Sequence, residues 1–341
     1  MKRILIVSLN SGGTMGHGKI ISSLANFLSK SNKHVTILSD MPFSNNFELD
    51  KRVTLKNIRV LPHENYTIGG LCNCSQKEEI YQYALENEIE TVIFSTFFDL
   101  ELVKKFKSNN IKTILLSYPI RDTYRLALQQ NGAYASFDRV ITLYGPCMTD
   151  KEMKNESFVN PLDLVKLKNN KDKPYDILVT CGGGGRPSSN IFLKKALKAL
   201  NSVIKSKPET RAKIIKGNSK VEIKAENIES VVWSKNFANQ LSAATTVISE
   251  AGYFTMLDLI NNNKRAIFVP GERIIDNQEL RALKLVEAGM GSIFFPFEKP
   301  SKLANLILEG LEQTPSRKDN SIKAKIEKYP ELGKKMLEEL K

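Results

Sequence analysis

Hydrophobic and polar positions alternate along the chain in blocks of two kinds. Short runs rich in Val, Ile and Leu are separated by stretches in which apolar residues recur every three or four positions. The first kind is typical of strands buried on both faces, and the second predicts amphipathic helices. Together they predict α/β layers built on parallel sheets. The strands expected in the first half are KRILIVSL, HVTILS, IRVL, TVIFST, KTILLS and DRVITLY.

This alternation stops near residue 160 and then restarts, which predicts two doubly wound domains in tandem, facing a cleft. The segment NPLDLVKLKNNKDKPYD is polar, lysine-rich and interrupted by two prolines, as expected of a linker. In the second half the expected strands are DILVTC, AKIIKG, ESVVW, TTVISE, RAIFVP and GSIFFP. We expect a Rossmann-like acceptor domain over 1–162, a linker over 163–174, a Rossmann-like donor domain over 175–314 and a helical tail over 315–341.

Composition places the chain among ordinary globular proteins. It has 341 residues, of which 41% are hydrophobic and 26% charged. No apolar run approaches the ~20 residues that a membrane-spanning helix needs, and the N-terminus turns polar too early for a signal peptide. The four cysteines lack the paired spacing of a zinc site, so we expect free thiols, no bound metal and a cytoplasmic location.

The net charge of +13 is concentrated in the second half of the chain. Residues 1–170 account for +4 and the remainder for +9. There is no arginine-rich run with interleaved aromatic residues and no recognisable nucleic-acid-binding module, so nucleic acid is not an expected partner. Anionic substrates, an anionic membrane surface and a plain lysine-rich surface remain alternatives.

Two glycine-rich turns follow predicted strands, in SLNSGGTMGHGK and in DILVTCGGGGRP. A strand, a glycine turn and a helix together bring backbone N–H groups to an anion, usually a phosphate. Neither turn has Walker A spacing, and apart from Asp40 no acidic residue ends the second strand to bind a dinucleotide ribose, so no cofactor is predicted. The predicted phosphate or acceptor loops contain Gly13, Thr14, Gly16, Gly183 and Gly184.

More specific information lies between residues 247 and 289. An S-x-x-G-[AY]-x-T segment precedes an acidic residue, a short strand ending in proline and a Q-x-x-[NR]-A helix. This order resembles the donor-binding half of GT-B glycosyltransferases, in particular glycosyltransferase family 28, which contains the bacterial GlcNAc transferase that forms lipid II. The N-terminal GGTMGHG is similar to the family's GGTGGH loop. The matching residues are Ser249, Gly252, Tyr253, Thr255, Asp258, Pro270, Gln278, Arg281 and Ala282.

The resemblance implies roles for residues of the donor site. Thr255 and the amides around Gly252 would bind the donor diphosphate, Asp258 the nucleotide ribose and Gln278 the donor sugar. Arg281 would help to stabilise the departing diphosphate in place of a metal ion. The chain departs from the family where Asp258 is shorter than the common Glu.

His17 lies in the first glycine turn, at the expected carboxyl edge of the sheet. A neutral imidazole there would accept a proton from an acceptor hydroxyl as that oxygen attacks the anomeric carbon of the sugar. Binding a phosphate or the acceptor without proton transfer, and simple packing, are the alternatives.

The resulting expectation is an inverting, metal-independent glycosyltransferase. It would move a sugar from a nucleotide diphosphate sugar, such as UDP-GlcNAc, to a hydroxyl of a glycan or lipid-linked acceptor, with peripheral membrane contact where the acceptor is a lipid. A nucleotide-sugar hydrolase of the same fold and a noncatalytic nucleotide-sugar-binding subunit are the alternatives.

Overall fold

The computed structural model describes residues 2–9, 15–39, 47–58, 70–164, 175–234, 237–273, 275–312 and 321–341. The chain divides into two compact units. Unit 1 contains Met1–Leu164 and Ile326–Lys341, and unit 2 contains Val165–Lys325. The predicted loop residues Gly13 and Thr14 lie outside the described residues, as does Asp40.

Unit 1 is built on a parallel sheet with the strand order β3-β2-β1-β4-β5-β6-β7. Its strands are β1 (Arg3–Ser8), β2 (His34–Ser39), β3 (Val53–Asn57), β4 (Thr91–Ser95), β5 (Lys112–Ser117), β6 (Arg139–Leu143) and β7 (Glu156–Val159). Its helices up to Leu164 are α1 (Met15–Lys30), α2 (Lys77–Glu86), α3 (Leu100–Ser108) and α4 (Asp122–Gln130).

Unit 2 repeats this plan with the strand order β10-β9-β8-β11-β12-β13, again parallel. Its strands are β8 (Ile177–Thr180), β9 (Ala212–Ile215), β10 (Ile228–Val231), β11 (Thr246–Glu250), β12 (Ala266–Val269) and β13 (Gly291–Ile293). Its helices are α5 (Pro187–Ser206), α6 (Phe237–Ala243), α7 (Tyr253–Asn261), α8 (Gln278–Glu287) and α9 (Pro300–Glu312). Helix α10 (Ser321–Glu327) contains the last residues of unit 2 and the first of the C-terminal residues assigned to unit 1.

Burial explains why the central strands lack alternation. In β1, residues Ile4 to Val7 are fully buried, and all four residues of β8 are buried as well. Helices cover both faces of such sheets, so apolar side chains are favoured at every strand position. On one face of the unit 2 sheet, α5 and α9 pack together through residues such as Phe192, Leu200 and Ile307. The α/β prediction with two doubly wound sheets is therefore confirmed.

Two strands of unit 1 differ from the prediction. The third described strand is Val53–Asn57, and Ile58, the first residue of the predicted run IRVL, follows it outside the strand. The other three residues of that run lie outside the described residues. The strand Glu156–Val159 was not predicted. It contains a glutamate that is buried and bonded to Arg125, so its sequence looks more polar than its environment is.

The C-terminal residues complete unit 1. Helix α11 (Leu332–Glu339) begins after a parallel bridge between Asn160 and Glu331. The N–H of Gly333 donates to Asp163, and a side chain at Gly333 would collide with the ring of Phe27 on α1. Among the described helices, none has both the length and the apolar character needed to cross a membrane.

Candidate functional site

The strand order locates a candidate site in unit 2. From β8 the chain moves to β9 and β10 on one side, and then returns to β11 and continues to β12 and β13 on the other. The connections that leave the carboxyl ends of β8 and β11 therefore diverge. In doubly wound sheets, ligands bind at this switch point. Its two lining segments are the glycine loop after β8 and the turn between β11 and α7.

The turn between β11 and α7 presents a helix N-terminus. Gly252 is the N-cap residue of α7, and no side chain caps this end. The first N–H groups of a helix have no acceptor within the helix and carry its partial positive charge. Thr255 lies in the first turn and is half-buried, whereas Asp258, one turn further on, is almost completely buried. Thr255, which is predicted to bind the donor diphosphate, thus lies in the helical turn that carries those N–H groups.

Arg281 is buried beneath this turn. Its side chain is fully buried, and Nη1 donates to the carbonyl oxygen of Ala251 at 2.7 Å. The guanidinium also forms an ion pair with Asp276 and lies 5.5 Å from the centre of the Tyr253 ring. The guanidinium therefore ties the β11 end, the α7 start and the segment before α8 together. This position suits a residue that shapes the turn at the start of α7.

A second arginine neutralises a buried carboxylate at the end of β11. Glu250 is 5% exposed, and its Oε2 lies 2.7 Å from a terminal nitrogen of Arg273. Its Oε1 accepts from the hydroxyl of Ser189 at 2.7 Å. Burial raises the pKa of Glu250, while the charge of Arg273 opposes the rise. The network joins the loop after β12 to the start of α5 across the switch point.

The glycine loop after β8 is held closely against the loop after β9. Gly184 has φ of +62°, and a Cβ there would lie 2.4 Å from the carbonyl oxygen of Lys216. The N–H of Asn218 donates to the carbonyl of Gly183 at 2.8 Å. Gly184 donates its own N–H to the carbonyl of Cys181. Close backbone packing thus accounts for the glycine at 184, and the phosphate contact expected there remains a prediction.

Arg186 is a residue that the sequence reasoning missed. It is the N-cap residue of α5, directly after the glycine loop, and its side chain is exposed. Desolvation lowers the pKa of its guanidinium, and the nearby charge of Arg273 lowers it further. Two cations that repel each other at a switch point are suited to an anion that lies against both. An arginine directly after four glycines was the available signal.

Gln278 and Asn277 define the start of α8. Gln278 is 5% exposed, and its Oε1 accepts from the N–H of Gly271 at 2.9 Å. Asn277 caps the helix by accepting from the N–H of Leu280. The side chain of Gln278 therefore fixes the loop after β12, and its predicted contact with the donor sugar remains a prediction.

Unit 1 has its own switch point, between β1 and β4, and His17 belongs to it. His17 lies in the first turn of α1. The centroid of its ring lies 4.1 Å from that of the Tyr118 ring and 5.9 Å from that of the Phe97 ring. Its Nδ1 is buried and has no hydrogen-bond partner in the described part of the chain. Burial lowers the pKa of His17 to about 3, so the imidazole is neutral near pH 7. Gly16 precedes it in the same turn and is half-buried.

The described side chains beside this histidine are aromatic rings and hydroxyls. The hydroxyl of Tyr118 lies 3.1 Å from that of Ser95, at the end of β4. Thr96, the next residue, has φ of +63°, which is unusual for a β-branched side chain. Its buried hydroxyl has no partner among the described residues, and neither has that of Ser8 at the end of β1. A strained backbone and unsatisfied hydroxyls at a switch point are typical of a binding site.

Within the described residues, no group of three or more His, Cys, Asp or Glu side chains is arranged to hold a metal ion. The four cysteines are free thiols. The positively charged groups described at the unit 2 switch point are the side chains of Arg186, Arg273 and Arg281.

Comparisons with known proteins bear on the family of the unit 2 domain and on the fold. Residues 177–336 match the family described as "Glycosyltransferase family 28 C-terminal domain". A Rickettsia bellii protein named "UDP-N-acetylglucosamine--N-acetylmuramyl-(pentapeptide) pyrophosphoryl-undecaprenol N-acetylglucosamine transferase" is 27% identical over 133 residues. This match spans 36% of each chain, about a third of the curated relative's length.

Solved structures extend the likeness in fold to the whole chain. Acinetobacter baumannii MurG has a TM-score of 0.59 at 15% identity, covering 97% of this chain and 96% of its own. The spinosyn rhamnosyltransferase SpnG complexed with thymidine diphosphate has a TM-score of 0.62 at 14% identity, covering 99% and 100%. The comparisons support assignment to the glycosyltransferases. Residues 177–336 match the C-terminal domain of glycosyltransferase family 28, and the chain has the two-domain α/β fold of GT-B glycosyltransferases, which confirms the predicted resemblance.

Proposed function

We propose that the chain transfers a sugar from a nucleoside diphosphate sugar to an acceptor hydroxyl, and that unit 2 binds the donor. One observation carries the proposal: at the unit 2 switch point, the uncapped N-terminus of α7 and Thr255 lie on a turn held by Arg281. Arg186 adds positive charge at the same edge of the sheet, where Arg273 balances the charge of Glu250. A nucleoside diphosphate is the ligand whose charge suits this arrangement.

The diphosphate would bind mainly through dipoles and charge-assisted hydrogen bonds. The first amides of α7 and the Thr255 hydroxyl are the donors, and each hydrogen bond to a charged group contributes about 1.5–3 kcal/mol. Arg186 is exposed, so its side chain is free to reorient toward a phosphate. These groups would stabilise the negative charge that develops on the leaving diphosphate, without a requirement for a metal ion.

The donor base and sugar follow from the relatives alone. The curated relative is named for UDP-N-acetylglucosamine, and one structural neighbour is complexed with thymidine diphosphate. A uridine nucleotide is our first choice. Asp258 is proposed to contact the ribose and Gln278 the sugar, and Gly183 is proposed to contribute its backbone to phosphate binding.

On the acceptor side, we assign the chemistry to His17. The neutral Nδ1 or Nε2 would accept the proton of the attacking hydroxyl as the new bond to the anomeric carbon forms. The bond from that carbon to the diphosphate oxygen then breaks, and the nucleoside diphosphate leaves with the electron pair. A base with a pKa of about 3 is weak. An acceptor that carries phosphate groups would raise this pKa by stabilising the imidazolium.

The relative's name also guides the choice of acceptor. It contains a pyrophosphoryl-undecaprenol group, which is a lipid-linked diphosphate. We therefore propose a lipid-linked acceptor, used at the cytoplasmic face of the inner membrane. Inversion at the anomeric carbon follows from a single direct displacement by the acceptor oxygen.

Calorimetric titration with UDP, GDP, TDP, CDP and ADP tests the donor site. We expect one of these nucleotides to bind, and Thr255→Val to weaken its binding about tenfold through loss of one charge-assisted hydrogen bond. Thr245→Val is the matched control, because Thr245 is also half-buried but lies before β11, away from its carboxyl end. The donor site is refuted by the absence of any binding, or by equal affinity in the two threonine variants.

Transfer is then separated from hydrolysis with the sugar nucleotide of the best diphosphate. Slow or absent sugar release without an acceptor supports a transferase, whereas rapid release that His17→Ala abolishes indicates a hydrolase. Unchanged nucleotide binding and activity in the presence of EDTA is the result expected for a metal-independent site.

A further inference from the structure

Neighbouring strands of unit 1 end in buried serines at the same level of the sheet. Ser8, the last residue of β1, is the register partner of Ser39, the last residue of β2. On the other side of β1, Val7 pairs with Phe94, so Ser8 lies beside Ser95, the last residue of β4. Side chains at the same level of adjacent strands point to the same face of a sheet. The carboxyl edge at the unit 1 switch point therefore carries a row of serine hydroxyls.

Two buried hydroxyls at this edge are not used by the described part of the chain. The Oγ of Ser8 and the Oγ1 of Thr96 have no hydrogen-bond partner there, although Ser8 is fully buried and Thr96 is only 5% exposed. The Nδ1 of His17 is in the same condition. Leaving a buried polar group without a partner is costly, and most such groups in proteins are paired. Their convergence at one edge of the sheet indicates a ligand that supplies the missing hydrogen bonds.

The backbone around Thr96 is held from both sides. The N–H of Thr96 donates to the carbonyl of Leu116 at 2.9 Å, and the N–H of Phe98 donates to the carbonyl of Gly70 at 3.0 Å. A Cβ at Gly70 would lie 2.4 Å from the carbonyl oxygen of Thr96. These contacts keep a β-branched residue at φ of +63°, a conformation that persists only where the surroundings enforce it. The position of the Thr96 hydroxyl is therefore fixed before a ligand binds.

The groups beside these hydroxyls favour a neutral ligand over an anion. The rings of Phe97 and Tyr118 contact the imidazole of His17. The carboxylate of Asp99, which follows this segment, accepts from three backbone N–H groups and is committed to them. A charge is costly to bury unless it is paired, and the strand ends supply hydroxyls instead. A pyranose suits both features, because its hydroxyls donate and accept hydrogen bonds and its C–H face is apolar.

We propose that this hydroxyl edge, formed by Ser8, Ser39, Ser95 and Thr96 beside His17, binds a neutral pyranose ring of the acceptor, and that Ser8 and Thr96 select that ring through its hydroxyls. The inference rests on the proposed function, because it places the ring with the attacking hydroxyl beside the proposed base. It concerns this ring alone and not the phosphate groups of a lipid-linked acceptor. A site built to pair with a substrate hydroxyl rejects the analogue that lacks it, since its own buried groups then lose their partners.

Saturation-transfer NMR of the full chain, with and without saturating UDP, tests the hydroxyl edge. The probes are the methyl glycosides of glucose, galactose and N-acetylglucosamine, their deoxy analogues, and methyl glucuronoside as the anionic comparison. We expect a neutral glycoside to bind, the loss of one contacted hydroxyl to weaken binding about tenfold, and the glucuronoside not to bind.

Calorimetry with UDP on the same preparations reports on the donor site separately. A chain that binds UDP but no neutral glycoside overturns this inference and leaves the proposed donor site standing. A chain that binds neither overturns both.

Thr96→Val and Ser8→Ala give the second arm. Each should weaken glycoside binding about tenfold without lowering the urea midpoint of unfolding, because a buried hydroxyl without a protein partner adds no stability. Thr96→Ser keeps the hydroxyl and should retain binding. Thr91→Val is the matched control, since Thr91 is also buried but begins β4 at the opposite edge of the sheet.

Three results of these experiments contradict the hydroxyl edge. The first is a glucuronoside that binds as tightly as the neutral glycosides. The second is equal glycoside binding by Thr96→Val and Thr91→Val. The third is a loss of binding in Thr96→Val and Ser8→Ala that is matched by a loss of stability, which would assign these hydroxyls to the fold and not to a sugar.

Discussion

The two units share a strand plan, and their switch points differ in charge. In unit 2 the ends of β8 and β11 are surrounded by Glu250, Arg273, Asp276 and Arg281, with Arg186 beside them. The described residues around His17 in unit 1 are instead aromatic rings and hydroxyls. One topology therefore supports two chemistries. A charged edge suits an anion that must be held, and a neutral edge suits a hydroxyl that must lose a proton.

The largest effect should come from the arginine beneath the charged turn. Arg281→Met removes the buried guanidinium that pairs with the Asp276 carboxylate and donates to the Ala251 carbonyl. The loss of both contacts should lower the free energy of unfolding by about 3 kcal/mol. Urea denaturation measures this loss. Lys284→Met on the same helix is the control, because Lys284 is exposed and paired only with exposed Glu287, and should shift stability by about 0.5 kcal/mol or less. Equal losses in both variants would show that Arg281 does not hold the turn.

A smaller, pH-dependent loss is expected for Arg273→Met. Burial already raises the folded-state pKa of Glu250, and removing Arg273 should raise it further. A carboxyl with a raised pKa contributes stability that is present below its unfolded value of about 4.3 and is lost as pH rises through the folded value. The variant should therefore be destabilised by about 2 kcal/mol near pH 7 and by clearly less near pH 4. Urea unfolding at both pH values checks this, and a loss independent of pH would contradict it.

The neutral edge should respond to acid in the opposite sense. Because the pKa of His17 is lowered to about 3, the native state favours the uncharged ring. That stability is present above the unfolded value of about 6.5 and is lost as pH falls toward the folded value. His17→Gln should show a shallower loss of stability between these limits than the wild type. Thermal unfolding followed at several pH values measures the slope, and identical slopes would mean that the ring is not desolvated.

Most of the fold was predictable because strands buried on both faces and amphipathic helices have different periods. The pattern of Thr255, Gln278 and Arg281 also predicted a donor segment, and the structure places these three residues around the unit 2 switch point. In unit 1 the strand β3 lies before the predicted run IRVL, of which only Ile58 is described. The unpredicted strand β7 carries Glu156, whose charge is balanced by Arg125, 31 residues away in the sequence. Sequence patterning does not reveal such a partner.

The contacts among the arginines of the candidate donor site were less accessible from the sequence. Arg281 was expected near the diphosphate, yet its position against the Ala251 carbonyl depends on packing between α7 and α8. Arg186 and Arg273 lie 87 residues apart in sequence, and their charges interact because β8, β11 and β12 are successive neighbours in the sheet. Contacts set by sheet order cannot be deduced from one sequence.

Titration of UDP into Arg186→Gln and His17→Ala, side by side with the wild type, tests the contrast between the two edges most directly. Both variants change a polar side chain at a switch point, but only Arg186 belongs to the charged one. The account predicts that Arg186→Gln weakens binding about tenfold, with less dependence on salt, while His17→Ala binds as the wild type does. Weaker binding in His17→Ala together with unchanged binding in Arg186→Gln would contradict the assignment of the donor to unit 2.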